Sequence, residues 1–354
     1  MGAARTSEGL SSSRFCAEFP ISKGRGVTES AIDADIAGWL ARTSPDGEPT
    51  NIEESRALTR RIHELALQHM NPALLPDSET DEVIDGPGGQ IPVRVFRPAG
   101  SKSGDGERAT IVYFHGGGWV VGDIDSYLGH ARRLCTQADA VVVSVGFRLA
   151  PEHRFPAAFE DAVFATEWAA GHLAELGGRP ASLVVAGDSA GAQLAASVAI
   201  ARRNAGQPLA AQLLLYPVTD VAGRYLDPEI NAHYMSRRTT KTNFGLTLEG
   251  MANFAKHYVA EESSADWRVS PMRAADLSGI APAVIHTATL DVLRTEGNFY
   301  GEALRKAGVT VVSREWPTLN HSYFGLGGVS AVADGAAEQA AEDLRELLRA
   351  APKG

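Results

Sequence analysis

The sequence predicts an α/β fold: a mostly parallel eight-stranded sheet flanked by helices, with a helical segment before it and an insertion within it. Three observations predict it. Short apolar, β-branched runs recur along the chain, helical patterns fill most of the intervals between them, and one interval, 218–264, breaks the rhythm with no strand. Continuously apolar strands alternating with helices indicate strands buried on both faces, as in a parallel sheet covered by helices on each side.

The elements follow in chain order. After a polar start, two amphipathic helices are expected. The first carries Ile32, Ile36, Trp39 and Leu40 on one face. The second has Leu58, Ile62, Leu65 and Ala66 at helical spacing, with Asn51 and Glu54 placed as a capping box. From about residue 81 the period changes: residues 82–84, the turn Gly86-Pro87-Gly88-Gly89 and alternating Ile91, Val93 and Val95 read as an antiparallel hairpin. Further strands are expected at 110–114, 140–145, 183–186, 212–215, 283–287 and 310–312, with helices at 126–137, 156–173, 190–203 and 293–307. Within 218–264 the pattern gives an irregular stretch and a helix bearing Leu248, Met251, Ala255 and Tyr258. A last helix with Ala337, Ala340, Leu344, Leu347 and Leu348 closes one face. The expected division is a helical N-terminal segment at 1–80, a core at 81–217 and 265–354, and an insertion at 218–264.

Composition bounds the function. At roughly 150 residues per domain the 354 residues suggest two domains, a count the pattern replaces with one core preceded by a helical segment and interrupted by an insertion. Hydrophobic residues at 44% and charged residues at 21% exclude disorder as a description of the whole chain. The 33 basic and 43 acidic residues give a charge of −10 without long runs of one sign, which argues against nucleic acid or an anionic membrane as partner. A small neutral substrate fits better, and a homodimer is left open. Cys16 and Cys135 form neither a disulfide framework nor a metal-ligand spacing, so two reduced thiols and no metal are expected. Residues 1–27 lack an apolar signal core, and the sequence contains no run of about 20 apolar residues, the length that spans a bilayer, so the expected location is cytoplasmic. Residues 1–6 satisfy a loose myristoylation pattern, which short sequences often do by chance.

The most specific segment is Gly187-Asp188-Ser189-Ala190-Gly191, where a predicted strand runs through Gly-x-Ser-x-Gly directly into a helix. That turn holds a serine in a strained conformation at the carboxyl end of a strand, and side chains two residues to either side collide with neighbouring backbone. Ser189 is therefore the candidate nucleophile. A hydroxyl needs a base, and the base a carboxylate, expected later in the chain in the order acid, then histidine. Asp291 follows the strand at 283–287, and His321 is the only one of ten histidines beyond the last strand. Glu296, about one helical turn beyond Asp291, is the alternative acid. His115-Gly116-Gly117-Gly118-Trp119 begins right after the strand at 110–114, where glycines let backbone amides turn toward a developing oxyanion. The spacing Gly116-x-Gly118-x-x-x-Gly122 is one residue too long for a dinucleotide fingerprint. No cofactor is expected.

On these motifs, together with the segment 147–158 (FRLAPEHRFPAA) and Asp291-Val292-Leu293-Arg294-Thr295-Glu296-Gly297, the chain resembles the hormone-sensitive-lipase-like group of α/β-hydrolases, microbial esterases sharing HGGG and GDSAG motifs. The resemblance covers roughly residues 80–350. It implies an α/β-hydrolase fold and a serine carboxylic-ester hydrolase acting on short-to-medium acyl esters. It also implies oxyanion donors at the N–H groups of Gly117, Gly118 and Ala190, a structural role for His115, and a cap from the two helical segments. Two departures fall beside the triad: Val292 and Thr295 stand where the group commonly has proline and aspartate, and Ser322-Tyr323 where it has Gly-Phe. Among Trp119, Phe244, Phe254, Tyr258 and Tyr323, Trp119 and Tyr323 are the candidates for substrate contact. A dedicated deacylase of a natural-product intermediate, acting on an ester or amide, is the alternative. A non-catalytic ligand-binding protein on the same fold is the remote one, disfavoured by the presence of His321.

Overall fold

A computed structural model describes residues 31–44, 49–100, 108–240 and 244–350. Two helices come first, α1 (Ala34–Thr43) and α2 (Ile52–Leu67). Each begins on a polar side chain that satisfies an orphan amide: Asp33 accepts from Ile36 N, and Asn51 from Glu54 N at 2.9 Å. The second half of the predicted capping box is shifted by one residue, because the Glu54 carboxylate accepts from Thr50 N at 2.8 Å instead of from Asn51. Arg56 ties α2 to the rest of the molecule, donating to Val120 O at 2.9 Å and pairing with Glu152 at 2.7 Å.

The hairpin β1 (Ser78–Gly86) and β2 (Gly89–Arg97) turns where Gly86 pairs with Gly89, whose φ of +125° favours glycine. Then follow β3 (Arg108–Phe114), α3 (Leu128–Ala138), β4 (Val141–Val145), α4 (Ala157–Gly171), the single turn α5 (Leu173–Leu176), β5 (Gly178–Asp188), α6 (Ala190–Asn204) and β6 (Ala211–Leu215). Three helices, α7 (Pro228–His233), α8 (Met235–Thr239) and α9 (Leu248–Tyr258), precede β7 (Ala283–Leu290), α10 (Arg294–Lys306), β8 (Val311–Asn320) and α11 (Ala331–Ala350). The sheet order is β1-β2-β4-β3-β5-β6-β7-β8, and β2 alone runs opposite to the other seven strands.

Alternation along the central strands explains why they read as unbroken apolar runs. Val112, Val143, Val185, Leu214 and Ile285 face one core, against α4 and α6. Their neighbours Ile111, Val142, Val184, Leu213 and Val284 face the other, against α3 and α11. Both faces are covered, so neither set of side chains is polar. On α11, Ala337, Ala340 and Leu344 are fully buried, and the leucine alone contributes roughly 2 kcal/mol. No described helix is long and apolar enough to cross a membrane. Cys135 is a free, buried thiol on α3; Cys16 and the myristoylation pattern lie outside the described residues.

Candidate active site

Ser189 sits between the last residue of β5 and the first of α6, with φ +54° and ψ −118°. A non-glycine residue held there costs on the order of 1–3 kcal/mol, so the surroundings must impose it. They do so through Ser189 N, which donates to Leu215 O at 2.9 Å, and through two glycines. A Cβ on Gly191 would lie 1.9 Å from Phe114 O, and one on Gly187 would lie 2.3 Å from the Gly191 carbonyl. The motif glycines are thus close-approach residues that let the turn pack against β3 and its own helix.

Asp291 follows β7 directly and His321 follows β8 directly, so the sheet delivers all three side chains to its carboxyl edge. His321 Nε2 lies 2.9 Å from Ser189 Oγ, and His321 Nδ1 lies 2.7 Å from Asp291 Oδ2. The other carboxylate oxygen accepts from Leu293 N at 2.9 Å. Both hydrogen bonds of the relay can form at once only if Nδ1 carries the proton and Nε2 accepts from the serine, the arrangement a general base requires. Glu296, the alternative acid, is fully buried elsewhere. It pairs with Arg237 and accepts from Thr219 N at 2.8 Å.

The glycine loop after β3 is pinned from below. Asp188 Oδ1 accepts from Gly116 N at 2.8 Å and from the Tyr113 hydroxyl at 2.7 Å, which commits the first glycine amide. Gly117 and Gly118 have φ of +100° and +58°, and a Cβ on Gly118 would lie 2.4 Å from Phe254. Among the described residues, the N–H groups of Gly117, Gly118 and Ala190 donate to no acceptor. His115 packs below the loop, stacked on Phe147 at 4.4 Å with Nδ1 2.8 Å from Gly116 O.

Ser189, His321, Gly117 and Gly118 open onto a cavity of about 290 Å³, walled by α1, α2, α9 and the segment after His321. Of the five aromatic candidates, Phe254 alone lines it. Trp119 and Tyr323, the expected substrate contacts, are corrected by the structure: both are buried in the core and neither borders the cavity. The Trp119 indole N–H donates to Gln193 Oε1 at 2.9 Å, and its ring stacks on Tyr258 at 4.4 Å. Tyr323 packs edge-on against Tyr216 at 5.1 Å. Both rings belong to segments that point their neighbours at the site, and helical or loop position alone does not tell which way a ring turns. The sequence reading missed His63 and Tyr127, which do line the cavity. The available signal was His63 beside the apolar stripe of α2, between Ile62 and Ala66.

A profile of the α/β-hydrolase fold matches residues 111–325. The chain belongs to the α/β-hydrolase family. Its relatives place this α/β-hydrolase in the hormone-sensitive-lipase-like group that the motifs suggested. It is 38% identical over 297 residues to esterase LipI of Mycobacterium tuberculosis, spanning 82% of this chain and 88% of the relative. It is 36% identical over 313 residues to carboxylesterase NlhH of the same species, spanning 87% and 91%. The solved structure of a hyperthermophilic esterase from the archaeon Pyrobaculum calidifontis superposes with a TM-score of 0.81 at 31% identity, over 90% of this chain and 99% of that one.

The two departures beside Asp291 in this α/β-hydrolase are tied to one residue of the 218–264 interval. Thr295 Oγ1 accepts from Ser236 N at 3.0 Å, Thr295 N donates to Ser236 Oγ at 3.0 Å, and that hydroxyl donates to Val292 O at 2.7 Å. Ser322 takes φ +66°, the left-handed value that the more common glycine accommodates freely.

Burial also gives this α/β-hydrolase a pH dependence of stability. It holds the His63 and His115 imidazoles at about 4 and lowers those of His130 and His286, so all four are neutral at neutral pH. As pH falls below the unfolded value of about 6.5, the unfolded chain binds protons that the folded chain refuses. Each group then removes about 1.4 kcal/mol of stability per pH unit until its folded value is reached. Asp188 opposes them: burial raises its carboxyl to about 6, so from there down to about 4 the folded state binds the extra proton. The Glu296 carboxyl, also raised by burial, opposes them too, but four groups outweigh two. Denaturant titrations are expected to show stability falling steadily between about pH 7 and pH 5, and a rise over that window would contradict the reading.

Proposed function

We propose that the protein is a serine carboxylic-ester hydrolase that works through an acyl-enzyme on Ser189 and prefers short-to-medium acyl esters. The observation that carries the proposal is the continuous hydrogen-bonded line from Asp291 through His321 to Ser189 Oγ, opening into a cavity beside three uncommitted amides. His321 Nε2 takes the serine proton as Oγ bonds to the ester carbonyl carbon. The carbonyl electron pair moves onto the oxygen, and the N–H groups of Gly117, Gly118 and Ala190 stabilise that charge. Collapse of the tetrahedral intermediate breaks the bond to the alcohol, which leaves with the proton from His321. A water, deprotonated by the same nitrogen, then releases the acid and restores Ser189. Asp291 keeps the ring in the required tautomer and stabilises the imidazolium.

The helical segments at 31–80 and 218–264 serve as a cap, since Leu40, Ile62, Leu246, Met251 and Phe254 wall the cavity. Its volume of about 290 Å³ lies at the low end for small-molecule sites and supports short-to-medium substrates. The expected result is kcat/KM highest for p-nitrophenyl acetate to octanoate and falling sharply for palmitate. Strong labelling of Ser189 by a fluorophosphonate with no turnover of any of these esters would overturn the general-esterase reading in favour of a dedicated deacylase.

A further inference from the structure

Away from the triad, the cavity wall is mostly apolar, yet it contains two adjacent rings that each keep one polar atom without a hydrogen-bond partner among the described residues. His63 on α2 and Tyr127 at the start of α3 both border the cavity, and their ring centroids are 4.4 Å apart. His63 Nδ1 lies 3.1 Å from the carbonyl oxygen of Thr59. A carbonyl only accepts, so Nδ1 carries the proton and Nε2 of the neutral ring is an acceptor. Among the described residues, neither this Nε2 nor the Tyr127 hydroxyl has a hydrogen-bond partner. The wall continues behind them into a second void of about 20 Å³, bordered by His63, Ser126, His130 and Arg133. His130 also keeps a buried Nε2 with no partner. Apolar side chains would pack this end of the cavity better if the substrate were purely hydrocarbon, because polar groups left unpaired out of water are costly.

We propose that His63 and Tyr127 form a subsite for a hydroxyl group, so that the preferred esters carry a hydroxyl on the part that enters the cavity, away from the scissile carbonyl. A hydroxyl is the simplest group that donates to His63 Nε2 while accepting from the Tyr127 hydroxyl. A ketone uses only the second contact, and an alkyl chain strands both. The inference rests on the ester-hydrolase reading and specifies its substrate class.

The test compares matched ester pairs that differ by one hydroxyl. In one arm the hydroxyl is moved along the acyl chain of p-nitrophenyl hexanoate, and in the other along the alcohol of alkyl butyrates. In at least one position the wild-type protein is expected to favour the hydroxylated member by about tenfold or more in kcat/KM. His63→Leu and Tyr127→Phe are each expected to bring that ratio close to one, and His63→Gln, which keeps an acceptor, to retain part of it. Fluorophosphonate labelling of Ser189 and a cooperative melt are read for every variant, so that loss of fold is not taken for loss of preference. A wild-type ratio near one at every position in both arms, or a ratio the variants leave unchanged, overturns the subsite while ester hydrolysis stands. Absence of both label and turnover in the wild type overturns the hydrolase reading, and the subsite with it.

Discussion

Ser189→Ala is expected to lower kcat on p-nitrophenyl butyrate by about 10⁶, with the melting temperature almost unchanged. The size follows from the unit formed by Ser189, His321 and Asp291 through contacts of 2.9 and 2.7 Å, because removing the nucleophile strands the rest of the machinery. Alanine also removes nothing that shapes the turn. The φ of +54° at Ser189 is imposed by its backbone bond to Leu215 and by Gly187 and Gly191, all of which the variant keeps. Stopped-flow or endpoint hydrolysis assays read the loss, and calorimetry reads the fold. A variant that keeps more than a few per cent of activity would show that another residue attacks the ester.

Glu296→Ala is expected to produce the opposite pattern, a large loss of stability and a secondary effect on chemistry. Glu296 and Arg237 form an ion pair with both side chains fully buried, and the guanidinium lies 4.3 Å from the Tyr225 ring centre and 4.1 Å from that of Tyr234. Arg237 also donates to Asp220 O at 2.7 Å, and Asp220 in turn pairs with Arg273 at 2.7 Å. Removing the carboxylate leaves a charge buried without its counterion, which costs roughly 3–5 kcal/mol. For a chain of this size that is a fall in Tm of roughly 4–7 °C. Asp291→Ala, by contrast, is expected to cost orders of magnitude in kcat with little change in Tm. The pair of variants separates the two acids that the sequence alone left in competition: equal effects of both on kcat would contradict the assignment of Asp291.

The strands were legible because each central strand is buried on both sides, which turns tertiary burial into a local run of valines, leucines and isoleucines such as residues 141–145. Ser189 was legible because its geometry demands glycines at fixed offsets, and Asp291 and His321 because a parallel sheet delivers consecutive strand ends to one edge. What escaped depends on contacts distant in sequence. β8 runs to Asn320, through polar residues and Pro317, because it is an edge strand whose outer side needs no apolar pattern. The short helices α7 and α8 are held by Arg237, whose partner Glu296 lies 59 residues away. Trp119 was assigned to substrate because it adjoins the glycine loop, yet its indole is directed into the core by Gln193, 74 residues later. His63 was hidden in the reverse way, as one polar residue beside an apolar stripe, because helical spacing alone does not tell which residues of a cap helix border the cavity.

The most direct test of the account is to trap the covalent intermediate itself. The wild-type protein, mixed with p-nitrophenyl butyrate and quenched in acid within the first turnover, is expected to show a butyryl adduct by intact mass and, after tryptic digestion, to carry it on Ser189 within the peptide spanning 155–202. One adduct is expected, at that residue and absent from Ser189→Ala. Hydrolysis at full rate with no adduct at Ser189, or with the acyl group on another side chain, would contradict it.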